Sequence, residues 1–401
     1  MHKTLFIFLI VLTQVVYGQG WKHHIIDNSS SGADGVKLAD INGDGLLDIT
    51  TGWEEGGITK LYIHPGVDNV QGKWPSVIVG NTPKVEDAVF ADMNGDGRLD
   101  IVSCTEKNSE KVYVHLSPKK DFLNSDGWKQ YVLPASDSVM QWMFAEPLQI
   151  DGKYGVDLIA AGKGAKSQLG WFEAPKKKGD MNGWMWHPIS SMSWVMSIQM
   201  TDMDGDEDID IVVTDRKSGL QGCRWLENPG IGTKQKMEWN SHFIGGVGLE
   251  VMFMAMSDLD GDGVEEVVIT ERTDQTIRIC KRKDKLGLEW DVQIIKVPTI
   301  TGNCKSVNVG DLNGDGLKDL VLSTNTDRQK KVGLTWIDGK KINHVQPSDF
   351  QQISGVHRSK FDKVVLTDID MDGDLDVLIC EENYGENSEG LGVVWYENEL
   401  K

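Results

Sequence analysis

Basic residues are scarce in this 401-residue chain: 41 Lys and Arg stand against 61 Asp and Glu, a formal net charge of −20. A general nucleic-acid binder needs a positive footprint against phosphate, so that class is disfavoured. Proline is rare too, with 11 residues beside 44 Gly, 39% hydrophobic residues and 14 Trp. That is the composition of a folded chain, not a disordered one. The five cysteines, Cys104, Cys223, Cys280, Cys304 and Cys380, are odd in number and widely spaced, so they make no disulfide framework. Cys104 and Cys380 fall at equivalent apolar strand positions and read as core. No apolar run after the first 16 residues is long enough to cross a bilayer. Gly-x-Ser-x-Gly, a phosphate-binding Gly loop and His-Glu-x-x-His are all missing. Nucleotide chemistry and zinc proteolysis therefore have no support.

The apolar run that does exist opens the chain. His2 and Lys3 make a short basic start, Leu5 to Val16 is apolar apart from Thr13 and Gln14, and Val16-Tyr17-Gly18 precedes Gln19. This reads as a secretory signal peptide over residues 1–18, so the mature chain is expected to be exported, periplasmic or secreted.

What the chain has in abundance is one loop. Asp-x-(Asp/Asn)-Gly-Asp-Gly-x-x-Asp recurs from Asp40, Asp92, Asp202, Asp258 and Asp311, with Glu207 for the second Gly in the third of these and Glu266 for the last Asp in the fourth, and with a variant from Asp368 and a degenerate copy from Gln149. The starts are 52 to 57 residues apart, so the repeat fills the mature chain and leaves no room for a second domain. Around each loop an apolar strand runs in and another runs out. A third strand carries an aromatic (Tyr62, Tyr113, Trp171, Trp225, Trp336, Trp395). A fourth begins at Trp74, Trp128, Trp186, Trp239, Trp290 or Phe350. Four short strands per repeat without helical periodicity predict an all-β, seven-bladed β-propeller over residues 19–401. An orphan strand, Trp21 to Asp27, is expected to complete the last blade and remove the exposed seam.

Carboxylates at loop positions one, three, five and nine suit Ca²⁺, a hard ion that takes six to eight oxygens. The expected ligand sets are Asp40, Asn42, Asp44 and Asp48; Asp92, Asn94, Asp96 and Asp100; Asp202, Asp204, Asp206 and Asp210; Asp258, Asp260, Asp262 and Glu266; Asp311, Asn313, Asp315 and Asp319; and Asp368, Asp370, Asp372 and Asp376. In the Gln149 copy, Lys153 stands where a carboxylate belongs, and no ion is expected there. The seven copies hold 23 carboxylates at these positions. Much of the acidity is thus structural. No organic cofactor is expected.

Asp-Ile-Asn-Gly-Asp-Gly-Leu-Leu-Asp-Ile (40–49) and its copies resemble the FG-GAP/VCBS repeat family. The resemblance implies the propeller fold and calcium. It also extends to exported propellers of bacterial polysaccharide-degradation systems, among them enzymes that eliminate across uronic acids of sulfated algal polymers.

Position fifteen of each repeat lies on the face opposite the acidic loops. It reads Glu54, Glu106, Lys163, Arg216, Arg272, Asn325 and Glu382. Around a closed ring these form a cationic arc (blades three to five) and an acidic arc (blades seven, one and two). A basic wall suits an anionic ligand, because Arg pairs bidentately with carboxylate or sulfate. Ten of the 14 Trp occupy repeated third- and fourth-strand positions. Among the rest, Trp53, Trp142 and Trp194 are candidates for stacking on a sugar, beside Glu54, Glu382 and Arg358. His357 and Tyr384 are the candidate base and acid, with Arg216, Arg272 and Lys163 stabilising developing negative charge. The leading expectation is an exported lyase or dehydratase leaving an unsaturated uronic acid from an anionic poly- or oligosaccharide. The alternative is a non-catalytic calcium-dependent propeller that binds glycans or a partner protein. A monomer is expected, with no nucleic acid and no membrane span.

Overall fold

The computed structural model describes residues 20–217, 219–382, 384–385 and 388–400. The expected leader, residues 1–18, lies outside the described residues.

Seven four-stranded antiparallel sheets follow one another round a central axis, as expected for a seven-bladed propeller. In blade one the strands are Ala33–Ala39, Asp48–Trp53, Ile58–Tyr62 and Ser76–Asn81, hydrogen-bonded in that order. The first strands of blades two to seven are Val85–Ala91, Gln141–Leu148, Val195–Thr201, Val251–Ser257, Asn303–Gly310 and Val365–Thr367. First strands of neighbouring blades touch each other, which places them innermost. Helix is confined to six short 3₁₀ segments among the described residues. The ring closes through His23–Asp27, which pairs antiparallel with Val393–Tyr396 and sets His23 opposite Tyr396 and His24 opposite Trp395. Closure covers the outer edge of Val393–Tyr396, which would otherwise be unpaired.

The apolar core is divided into wedges between successive blades. One joins Val102 and Val114 of blade two to Trp142 and Phe172 of blade three. Another joins Ile26, Leu378 and Trp395 of blade seven to Ile49, Trp53 and Tyr62 of blade one. The repeated aromatics sit at these seams: Trp171, Trp225 and Trp395 are among the largest fully buried side chains. Each such ring removes 150–250 Å² from water, so the aromatic of one blade is glued to its neighbour.

The ninth loop position has a role the motif did not disclose. The carboxylate of Asp48 is buried and accepts two backbone N–H groups, from Ile41 at 3.1 Å and from His64 at 2.8 Å. Asp100 does the same for Met93 and Ser117, Asp157 for Ile150 and Ala174, and Asp210 for Met203 and Asn228. Asp319 and Asp376 repeat the pattern. The group clamps the acidic loop to the end of the third strand in six blades; in blade five Glu266 accepts the loop N–H of Leu259 at 2.8 Å. Blade three keeps the clamp although its loop is degenerate, so the clamp does not depend on a complete loop.

Histidines near the third strands also serve the framework. His64 Nε2 lies 3.0 Å from the Ile369 carbonyl and ties blade one to blade seven. His115 is fully buried in blade two with Nε2 3.0 Å from Ser103 Oγ. Burial pushes its pKa down to about 3. In the unfolded chain the same imidazole takes up a proton near pH 6.5. Between those values the unfolded state binds more protons, so stability falls as the pH drops below the unfolded value, by up to ~1.4 kcal/mol per unit. Urea midpoints measured from pH 7 down to pH 5 are expected to decline, and the decline should be shallower in His115→Gln.

Candidate functional site

On the face opposite the acidic loops the axis opens into a cavity of about 350 Å³. All seven position-fifteen residues line it: Glu54, Glu106, Lys163, Arg216, Arg272, Asn325 and Glu382. A second ring of seven lies alongside, one from each first strand, six residues before the loop begins: Asp34, Glu86, Met143, Met196, Met252, Lys305 and Asp362. The two rings are in phase. Acids occupy both in blades seven, one and two, whereas in blades three to five cationic residues accompany Met. This second ring was legible as a repeat position, but it alternates between acid, Met and Lys and so carries no motif.

The acidic wall is densely paired. Glu54 accepts from Lys107 at 2.6 Å, Glu86 lies 3.1 Å from Lys163, and Lys163 also pairs with Glu106. Lys305 pairs with Asp362 at 2.8 Å, and Lys360 pairs with Glu382. Asp34, Glu54 and Glu86 each place a carboxylate oxygen within 4.8 Å of the others. Burial first, then Asp362 and Glu86, hold the Asp34 pKa well above the usual range. Burial alone would raise Asp362 as well, but Lys305 outweighs it and keeps that group ionised. The two carboxyl groups share a hydrogen bond that draws them apart, pushing the Asp34 pKa up and the Asp362 pKa down.

The cationic wall is under-compensated. Arg216 Nε donates to Glu250 Oε1 at 2.7 Å, and Arg272 reaches the same oxygen only at 4.0 Å. Among the described residues the Arg272 guanidinium makes no hydrogen bond. Burial and then the Arg216 charge hold its pKa below the ordinary value. Trp194 stands between these groups, with Lys163, Arg216 and Lys217 at 4.9, 4.5 and 4.4 Å from its ring centroid. Asp215 fixes its backbone by accepting the Trp194 N–H at 2.9 Å. Two guanidinium groups sharing one carboxylate beside an aromatic face can take an anion attached to a flat or ring-shaped body.

Beneath the cavity the axis is plugged. Lys37 of blade one pairs with Glu146 of blade three, past blade two. Phe144 of blade three meets Phe253 of blade five edge-on, with centroids 5.8 Å apart. Both contacts join blades that are not neighbours and so pass the intervening blade on its axial side. Burial alone would lower the Lys37 pKa, but Glu146 and Asp87 reverse the effect and hold it above the usual value.

At the opposite face the acidic loops converge their carboxylates. Asp202, Asp204 and Asp206 hold oxygens within 4.8 Å of one another, as do Asp258, Asp260 and Asp262, and Asp368, Asp370 and Asp376. Oδ1 of Asp204 and Oδ1 of Asp370 are buried without a hydrogen-bond partner. Burial and then Asp206 raise the Asp204 pKa, the signature of crowded like charge. These donor sets fit a hard divalent cation. Loops one, two and six carry Asn at position three (Asn42, Asn94, Asn313), a neutral oxygen donor. In several loops a basic side chain competes for the carboxylates: Arg98 with Asp96, Lys340 with Asp315 at 2.6 Å, and Lys281 with Asp260 and with Asp262 at 2.8 Å. In blade three, Lys153 pairs with Asp151 at 2.6 Å. Three loops place side chains where others have Gly: Tyr154 with φ 24°, Glu207 with φ 77° and Met371 with φ 62°.

The candidate residues thus divide. Lys163, Arg216, Arg272, Glu54, Glu382 and Trp194 meet in the axial cavity. Trp53 and Trp142 do not. Both have no exposed surface; Trp53 Nε1 donates to Tyr62 at 2.9 Å and Trp142 Nε1 to the Ser136 carbonyl at 3.0 Å. They are core packing, and no sugar reaches them. His357 sits in a short strand, Val356–His357, paired with Lys331–Val332. It lines a separate pocket with Trp21, Lys22, His23 and Tyr396 beside the closing strand. Tyr384 is 60% exposed and does not line the axial cavity. Arg358 is likewise outside it, its backbone N–H donating to Glu389. The expected acid and base are therefore not brought to the cations. Sequence reading missed Asp34, Glu86, Asp362, Lys305, Lys217 and the apolar residues Met143, Phe144, Met196, Met252 and Phe253.

Comparison with known proteins agrees with this architecture. The FG-GAP-like repeat family matches residues 40–103 and 258–322. This chain is a seven-bladed propeller, two stretches of which match the FG-GAP-like repeat. No curated protein matches it. Two crystal structures of BBS1N in complex with ARL6DN are similar in fold. The one soaked with mercury has a TM-score of 0.53 at 9% identity, and the one soaked with lead 0.54 at 8%. Each comparison covers 96% of this chain and 98% of the other. At such identity the likeness concerns the fold alone. The FG-GAP-like match falls on loops one, two, five and six, and the axial rings recur in every blade, matched or not.

The plug yields a stability test. Removing one partner of a part-buried pair strands the other charge, which costs about 3 kcal/mol, whereas replacing both with apolar groups is near neutral. Lys37→Ala should lower the urea midpoint clearly, and Lys37→Met with Glu146→Leu should recover most of the loss.

Proposed function

We propose that this chain is an exported, calcium-stabilised propeller that binds an anionic saccharide in its axial cavity without transforming it. The observation that carries the reading is the Arg216–Arg272 pair sharing Glu250 beside Trp194. A carboxylate or sulfate placed there would supply the hydrogen bonds that Arg272 lacks, and the apolar face of the sugar ring would lie against the indole. The opposite wall suits the rest of a sugar. Carboxylates only accept hydrogen bonds when ionised, and sugar hydroxyls donate. A purely anionic ligand without hydroxyls would meet repulsion from Glu54, Glu86 and Glu382.

Uronate elimination needs a base beside the acidic carbon and an acid at the leaving oxygen. Neither His357 nor Tyr384 lines the cavity, so the binding reading is preferred to the lyase reading. Export rests on the apolar leader within residues 1–18. Calcium rests on the convergent loop carboxylates. Bound there, the ion would cross-link each loop and relieve its charge crowding; it takes no part at the axial cavity.

Two tests follow. Arg216→Ala and Arg272→Ala should each weaken binding of uronic-acid oligosaccharides about 10- to 150-fold, the equivalent of a charge-assisted contact of roughly 1.5–3 kcal/mol. Melting temperature should change little. The ultraviolet absorbance of a conjugated double bond should not grow during incubation; its growth would restore the lyase reading. Separately, excess chelator should lower the melting temperature, because an ion bound to the folded loops alone contributes about 2.7 kcal/mol per site at a hundredfold excess over Kd. Asp204→Asn should reduce that response and Asp151→Asn should not. An unchanged melting temperature in chelator overturns calcium.

A further inference from the structure

We infer that the axial cavity takes the end of a saccharide chain, not an internal stretch of it. The inference deepens the saccharide reading above and rests on it.

The shape of the cavity carries the argument. Its wall is built from every blade, since each of the seven contributes a position-fifteen residue and a first-strand residue. A groove crossing the face would need a gap in that ring. The bottom is formed by Phe144 against Phe253, which line the cavity, and by the Lys37–Glu146 pair, three residues beyond Asp34 and Met143 on the first strands of blades one and three. The cavity is therefore a blind pit whose single open direction is outward along the axis.

An internal sugar unit has two glycosidic bonds leaving it on opposite sides. Seated in the pit, it would drive one neighbour into the wall or the floor. A terminal unit has one such bond, and that bond can point out of the mouth. The volume agrees. About 350 Å³ lies at the small end of ligand pockets, roughly 300–1,000 Å³, and is enough for about one or two sugar units.

The chemistry of the wall also favours full insertion. A chain lying across the mouth would meet the rim charges Glu54, Arg216 and Glu382. It would leave untouched the first-strand ring below, where Asp34 and Asp362 face the Met196 and Met252 side. Only a unit that descends reaches the inner carboxylates together with the Arg216–Arg272 pair and the Trp194 face.

Isothermal titration of the mature chain with uronic-acid oligosaccharides of one to eight units, and with the parent polymer at defined chain lengths, tests this. Affinity should rise to about the disaccharide and then stay level. Protein bound per chain should be set by the number of chain ends and should not grow with length. Capping both ends, by reductive amination at one and O-methylation at the other, should abolish binding. Arg216→Ala serves as the control that the measured binding occurs in the pit, and it should be at least about tenfold weaker at every length. If bound protein grows in proportion to chain length and remains sensitive to Arg216→Ala, end recognition is overturned while saccharide binding stands. If no oligosaccharide binds, or binding ignores Arg216→Ala, the saccharide reading itself falls and this inference falls with it.

Discussion

Each blade depends on one buried carboxylate at the start of its second strand. In six blades that group is an Asp that holds two N–H donors, one from the acidic loop and one from the end of the third strand, and so fixes how the inner hairpin sits; in blade five Glu266 holds the loop donor of Leu259. Position fifteen lies six residues further along the same strand in every blade, from Asp48 to Glu54 and from Asp376 to Glu382. At about 3.3 Å per residue the strand crosses the sheet over roughly 20 Å and delivers that residue to the other face. An even separation also keeps both residues on the same side of the strand. The clamp at one face thereby aims the rim of the cavity at the other. Leaving either N–H unsatisfied in the interior would cost roughly 1–3 kcal/mol. A carboxylate at position nine thus serves the fold whether or not an ion is bound.

The axis poses a second constraint. Seven sheets leave a channel too wide for the first strands alone to fill, and this chain fills it in two ways. Toward blades three to five it uses Met and Phe, flexible or flat groups that adapt to an irregular gap. Toward blades seven, one and two it uses charge, and charge so far from bulk water requires partners. Lys305 with Asp362, Lys163 with Glu86 and Glu106, and Lys37 with Glu146 supply them. Such pairs add little net stability over apolar packing. Their retention is better explained by what they present to the cavity: fixed, oriented carboxylates whose remaining lone pairs stay available.

Much of this was legible in the sequence. The loop spacing specified seven blades, the orphan strand at Trp21 to Asp27 specified the closure, and position fifteen specified the ring that lines the cavity. The failures lie one residue away from successes. Trp194 stands eight residues before its loop and Trp142 stands seven before its own. In every blade the residue at minus seven is core: Ala33, Val85, Trp142, Val195, Val251, Cys304 and Phe361 are all buried. Trp53 precedes Glu54 by one and likewise turns inward. A strand sends successive side chains to opposite faces, so a shift of one exchanges rim for core. Composition cannot register that parity; only alignment of the seven repeats against one another can. His357 failed for a different reason. Its connection folds into a short pairing with Lys331–Val332, a local structure with no counterpart in the other repeats and therefore no periodic signal.

The segregation of charge round the ring follows from the same repeat logic. If the rim charges were random solvated positions, the ring at position fifteen and the ring six residues before the loop would vary independently. They do not. Glu54 and Asp34, Glu106 and Glu86, and Glu382 and Asp362 are acidic in both rings, whereas Lys163, Arg216 and Arg272 all lie beside Met. Like charges stacked on one wall repel, so folding alone gives no reason to place them together. Lys107 and Lys360 from neighbouring positions neutralise this wall, with Lys163 and Lys305 at its two borders, and the arginines opposite are left with one shared carboxylate. Stability would be served better by mixing the signs within each blade. An arrangement that keeps them apart, in register through two rings and closed at the bottom, has the form of a site whose ligand carries an anionic group on one side and hydrogen-bond donors on the other.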